Sequence, residues 1–211
     1  METSFWHQRW RENRIGFHAK TPNSLLEKNF NKLSFPKGSR VFLPLCGKTL
    51  DIGWFLSQGF RVVGAELSET AVAQLFEELG VEPEITIVGD LKRYSVQDID
   101  IFVGDIFDLT AEILGPVDVV YDRAALVALP PEMRSRYAAH IPAITNYMAQ
   151  FVICFEYDQS LMDGPPFSID QGAVAQLYAD TYQIMLVERE EVAGGFQGKF
   201  PATEAAWLLK I

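Results

Sequence analysis

Val41-Phe42-Leu43-Pro44-Leu45-Cys46-Gly47-Lys48-Thr49 is an apolar run closed by a glycine, and Arg61-Val62-Val63-Gly64-Ala65-Glu66 is a second one closed by a carboxylate. Neither alternates apolar with polar residues. Each therefore reads as a strand buried on both faces, as in a parallel sheet. The stretch between them, residues 49–58, has a helical pattern and stops at Gly59, a residue suited to a helix C-terminus. Strand, helix and strand in that order make a βαβ unit, whose strands run parallel.

The alternation continues outward. Ser68 is a good N-cap for a helix over residues 69–79, with Ala71, Leu75, Phe76 and Leu79 on one face and Gly80 at its end. Residues 85–88 and 93–96 read as a hairpin inserted before the strand Ile101-Phe102-Val103-Gly104-Asp105. A further strand over residues 117–121 runs into Asp122-Arg123. A helix then starts at Pro130-Pro131-Glu132 and reaches about residue 145. Residues 151–157 form the next strand. The loop Gly164-Pro165-Pro166-Phe167 follows, then a helix over residues 170–179. The last two strand signals, residues 184–192 and 206–211, have no helix between them and must pair antiparallel. The expected fold is α/β and Rossmann-like. It is a mostly parallel seven-stranded sheet with helices on both faces and an antiparallel C-terminal hairpin.

A chain of 211 residues with 48% hydrophobic content can bury one sizeable core. A single domain over residues 1–211 is expected, with residues 1–35 as an N-terminal lid segment. The net charge of −10 disfavours DNA, RNA and anionic membranes, all of them polyanions. Cys46 and Cys154 lie in apolar runs and read as free buried thiols. The opening Met1-Glu2-Thr3-Ser4-Phe5-Trp6-His7 lacks the basic-then-apolar pattern of a secretory signal, and no apolar stretch reaches membrane-spanning length. The cytoplasm is the expected location.

In an open α/β sheet, ligands bind beyond the carboxyl ends of the strands. Gly47 stands at the first such end, where the lack of a side chain lets a ligand approach the backbone. An ordinary turn glycine is the alternative. Gly47-Lys48-Thr49 imitates the end of a phosphate-binding P-loop, but the position that needs the loop's first glycine is Phe42. The dinucleotide fingerprint fails as well, because Gly47 stands alone. The chain has no ready phosphate cradle, which argues against NAD and ATP. Glu66 follows Gly47 by 19 residues, and at the end of the second strand it can accept hydrogen bonds from both hydroxyls of a ribose. The alternative is a solvated carboxylate at a helix N-terminus. The third strand end, Gly104-Asp105-Ile106-Phe107-Asp108, could bracket an adenine ring. The fourth carries Arg123, a cation at the end of an apolar strand, either functional or salt-bridged to Asp122 or another acid. Trp6 and Trp10 lie four apart, on one face of a helix. They either lid a cationic cofactor through their rings or pack on the sheet. His7, His18 and His140 are scattered, so no metal site is expected, and no G-x-S-x-G nucleophile elbow occurs.

Taken in order, Phe5-Trp6-His7-Gln8-Arg9-Trp10, Ile15-Gly16-Phe17-His18, Pro44-Leu45-Cys46-Gly47-Lys48, Asp51, Gly64-Ala65-Glu66, Tyr121-Asp122-Arg123-Ala124-Ala125-Leu126-Val127-Ala128 and Gly164-Pro165-Pro166-Phe167 resemble the thiopurine S-methyltransferases, the bacterial branch in particular. The resemblance runs from Phe5 to the C-terminal strands. It implies a class I methyltransferase fold using S-adenosylmethionine (SAM) and methylating aromatic and heterocyclic thiols, thiopurines included, with S-adenosylhomocysteine as the product. It also implies that Trp10, Leu45, Glu66 and Arg123 contact SAM, that Ile106 lies by the adenine, and that Arg123 assists at the thiol. The partner is then a small-molecule thiol or chalcogen substrate and the protein a monomer. Rival acceptors are halide, hydrosulfide, or inorganic selenium and tellurium species in detoxification. A SAM-binding sensor without catalysis is the rival from another class.

Overall fold

The computed structural model describes residues 3–16, 18–196 and 198–211. Phe17 of the Ile15-Gly16-Phe17-His18 motif lies outside the described residues. The chain divides into two compact units, Met1–Val119 and Val120–Ile211.

The first unit contains α1 (Thr3–Arg11), α2 (Ser24–Asn29), β1 (Arg40–Pro44), α3 (Asp51–Ser57), β2 (Arg61–Glu66), α4 (Glu69–Leu79), β3 (Glu84–Val88), β4 (Leu91–Val96), β5 (Ile99–Val103) and α5 (Ala111–Leu114). Its strands run in the order β3-β4-β5-β2-β1. β1, β2 and β5 are parallel, while β4 lies antiparallel to both β5 and β3. The apolar runs are central here: Val41, Phe42, Val63 and Ile101 are fully buried. α4 forms as its caps dictate. The Ser68 hydroxyl accepts from the Ala71 N–H, and Gly80 ends the helix in the left-handed region at φ +69°. Its inner face is Ala71, Val72, Leu75 and Phe76, so Val72 takes the place expected for Leu79.

The second unit contains β6 (Val119–Arg123), which starts at the boundary, then α6 (Ala125–Ala128), α7 (Pro131–Ile144), β7 (Gln150–Tyr157), α8 (Gln171–Tyr178), β8 (Gln183–Glu191) and β9 (Ala202–Lys210). β6 and β7 are parallel, and β9 runs antiparallel to β7 and β8. The C-terminal hairpin pairs as its missing crossover helix requires. The described residues thus carry nine strands rather than seven, because the hairpin inserted before β5 adds β3 and β4. The short helices α2, α5 and α6, of six, four and four residues, were not legible in the sequence. They are too short to show a helical period. No helix among the described residues is long and apolar enough to cross a membrane.

Gly64, in the middle of β2, is a packing requirement. A Cβ there would sit 2.7 Å from Ile101 Cδ1 and 2.8 Å from Cys46 Sγ. Both neighbours belong to buried side chains. Gly64→Ala is expected to destabilise the protein by about 1–3 kcal/mol, the range for overpacking a core. Urea denaturation of the variant checks it, and an unchanged midpoint would mean the neighbours move aside freely.

Candidate active site

The carboxyl end of β1 bends sharply. Leu45 and Gly47 both adopt positive φ, +50° and +53°. The Cys46 N–H still donates to the Ala65 carbonyl at 3.1 Å, so the bend starts from the sheet ladder itself. Leu45, a bulky residue in a left-handed conformation, is strained, and such strain persists only where surrounding structure enforces it.

That bend brings Gly47 to Glu66. The Glu66 carboxylate accepts from the Gly47 N–H through Oε2 and from the Ser68 N–H through Oε1, each at 2.8 Å. Glu66 is 7% exposed, so the alternative of a solvated carboxylate does not hold. Burial pushes its carboxyl above the ordinary carboxylate range, opposed by the N–H groups of Ser68, Gly47 and Leu67. No ion pair reaches it among the described residues. A carboxylate offers about four acceptor positions, and these backbone bonds leave capacity for neutral hydroxyl donors. A buried anion held by dipoles rather than by a cation suits a diol, as in a ribose.

The other expected residues of this unit meet the same strand ends. Trp10 is 4% exposed, and a Cβ on Gly47 would lie 3.1 Å from its ring. The indole thus lies against the bare glycine, and any side chain there would displace it. Trp6, by contrast, is half-buried and makes an edge contact with Phe5 at 5.2 Å. Of the two tryptophans, Trp10 is the one packed against the Gly47 bend. Beyond β5, the Gly104 N–H donates to the Glu66 carbonyl, and Asp105 caps a turn through the Phe107 N–H. Ile106 follows directly and is buried. A glycine backbone, a buried carboxylate and apolar packing are arrangements that an adenosine-bearing cofactor can use. A cavity of about 330 Å³ is lined by His7, Arg11, Leu67, Thr70, Asp90 and Val103, among others, and by none of Trp10, Leu45, Glu66, Ile106 and Arg123. It lies within the size range of small-ligand sites. The sequence reading did not single out His7 and Arg11 as lining residues, although their spacing of four on α1 puts them on one helical face.

In the second unit, Arg123 ends β6, in register with Ile153 of β7. Its side chain and that of Asp122 leave the strand on opposite faces. Asp122 accepts from the Tyr137 hydroxyl. Cys46 and Cys154 are both free and buried, and burial pushes both thiols well up, which keeps them inert.

Comparison with solved structures gives the fold for the whole chain. A Burkholderia thailandensis 1,6-didemethyltoxoflavin-N1-methyltransferase matches with a TM-score of 0.67 at 16% identity, over 99% of this chain and 87% of that one. A magnesium protoporphyrin IX methyltransferase from Synechocystis matches with a TM-score of 0.62 at 13% identity, over the full length of both. Sequence relatives are much nearer. Thiopurine S-methyltransferase of Xanthobacter autotrophicus is 52% identical over 211 residues, 100% of this chain and 99% of its own. That of Teredinibacter turnerae is 49% identical over 209 residues, 99% of this chain and 97% of its own. The thiopurine S-methyltransferase family model matches residues 1–204. With relatives of this identity along its whole length, the chain belongs to the thiopurine S-methyltransferase family.

Proposed function

We propose that the protein transfers the methyl group of S-adenosylmethionine to the sulfur of an aromatic or heterocyclic thiol such as a thiopurine, releasing S-adenosylhomocysteine. The observation that carries this reading is the buried Glu66 carboxylate, held by the Gly47 and Ser68 N–H groups with no cation paired to it among the described residues. In it, Glu66 receives the ribose hydroxyls, Leu45 and Gly47 offer backbone, Ile106 packs beside the adenine, and Trp10 closes over the site. SAM when bound supplies an activated methyl group, so the chain's task is positioning and the exclusion of water. Arg123 contacts the cofactor and attracts the acceptor as a thiolate, the form of sulfur that attacks. Residues 1–211 then act as one catalytic domain with residues 1–35 as its lid, as a cytoplasmic monomer on a small-molecule substrate.

The test is incubation of the protein with SAM and, separately, a thiopurine, an aryl thiol, hydrosulfide, iodide and selenite, with products read by mass spectrometry. Methylated thiol and S-adenosylhomocysteine are expected. Faster turnover of iodide or selenite than of any thiol would replace the acceptor class. Tight SAM binding with no turnover at all would point to a sensor.

The lid carries its own prediction. Trp10→Ala is expected to raise the SAM dissociation constant about tenfold, the scale of a lost aromatic contact together with part of its buried area. Tryptophan fluorescence of the unaltered protein should change on binding. A large fall in melting temperature with unchanged affinity would make Trp10 a core residue instead.

A further inference from the structure

Successive side chains of a strand point to opposite faces, so Asp122 and Arg123 diverge at the end of β6. Asp122 is 1% exposed. Its close partner is the Tyr137 hydroxyl of α7, which donates to Oδ2 at 2.7 Å. The N–H dipoles of Ala125 and Leu126 face the same carboxyl and favour its charge. They close no hydrogen bond to Oδ1, which is buried without a partner. A buried carboxylate with only neutral partners is costly, and it sits next to the one residue of β6 with a chemical task.

The chain leaves β6 through a constrained turn. Ala124 stands in the left-handed region at φ +67°, which an alanine adopts only when its surroundings hold it there. α7 holds both ends of that turn. Tyr137 ties Asp122 before it, and Arg134 donates to the Leu126 and Leu129 carbonyls after it, at 3.1 and 2.9 Å. We propose that Asp122 and Tyr137 are positioning residues for Arg123, their buried hydrogen bond clamping the turn that aims the guanidinium. This rests on the role given to Arg123 above.

The groups facing Asp122 are Tyr137 from α7, Cys154 from β7 and Tyr178 from α8. The neighbouring cations are Arg123, next in the chain, and Arg134, which faces Cys154. Burial pushes the two phenols and the thiol well up, so they stay neutral. Burial likewise raises the Asp122 carboxyl, to about 6. Asp122 is thus the member of this cluster that takes up a proton just below neutrality. Its pKa in the fold lies above its unfolded value. Its contribution to stability is therefore full below the unfolded pKa and lost as pH rises through about 6. On acidification from pH 7 the clamp loosens while this group makes the fold no weaker.

The experiment is a profile of kcat/KM from pH 5 to 8 on the full chain. The acceptor is an aryl thiol acidic enough to stay ionised throughout, and melting temperatures are recorded alongside. Tyr137→Phe removes the donor that favours the carboxylate. Its acid limb should move to higher pH, and kcat should fall about fivefold, the worth of one hydrogen bond. Asp122→Asn should abolish that limb and lower kcat about 10- to 100-fold, the scale of a misplaced catalytic group. If Asp122→Asn does not fold, the limb of Tyr137→Phe decides alone. An acid limb unmoved in Tyr137→Phe, with Arg123→Lys impaired, overturns the clamp and leaves the role of Arg123 standing. Full activity in Arg123→Lys and Arg123→Ala overturns both.

Discussion

Replacing Arg123 by alanine is expected to lower kcat/KM for a thiol of high pKa by about 100-fold or more at pH 7, the scale of removing one preorganised charge partner. The guanidinium ends β6, whose preceding residues are buried. Beside such a cation a thiol ionises more readily, and the thiolate is held where it must attack. The attraction fades as the sulfur gives its charge to the methyl carbon, so much of the effect lies in binding and acidifying the acceptor. The loss should therefore shrink as pH rises and the thiol ionises unaided. Arg123→Lys keeps the charge but not the planar fork, so it should retain partial activity. Paired pH profiles of the two variants check this. A loss equal at every pH would mean that Arg123 only positions SAM.

The second large effect is on cofactor binding. Glu66→Ala is expected to weaken SAM by about 1.5–3 kcal/mol, the worth of a hydrogen bond to a charged acceptor. That is roughly a 10- to 150-fold rise in dissociation constant. Glu66→Gln keeps the shape and one carbonyl acceptor and should lose less. The raised pKa of Glu66 separates this from a structural role. Burial is its main cause, so the group's contribution to stability is full below its unfolded pKa and is lost as pH rises through its pKa in the fold. The ionised form of Glu66 is thus held at a cost to the fold, as ligand sites often are. Calorimetric titration with S-adenosylhomocysteine, beside thermal melts, tests both statements. Unchanged affinity would remove Glu66 from the site.

Much of this was legible in the sequence because parallel strands announce themselves locally. Between their end residues Arg40, Arg61 and Glu66, the runs at β1 and β2 are apolar, since both faces are covered. Ser68 and Gly80 marked the ends of α4, because caps act within one turn. The missing helix before β9 dictated an antiparallel pair. That Gly47 and Glu66 stand at neighbouring strand ends was legible for the same reason, and there they meet through a hydrogen bond.

The remainder depended on contacts between residues distant in sequence. The spacing of Trp6 and Trp10 put them on one helical face, but only packing against the Gly47 bend separated the buried indole from the half-exposed one. Composition put Asp122 beside Arg123 and suggested a salt bridge. The fold turned the carboxylate toward Tyr137, fifteen residues on, because adjacent side chains of a strand point to opposite faces. That Gly64 must lack a side chain followed from Ile101 and Cys46, which reach it from a neighbouring strand and from the bend. Strand period, caps and strand ends are properties of a few consecutive residues and can be read along the chain. The partner of a buried charge and the space around a glycine are set by other elements, so only the tertiary structure decides them.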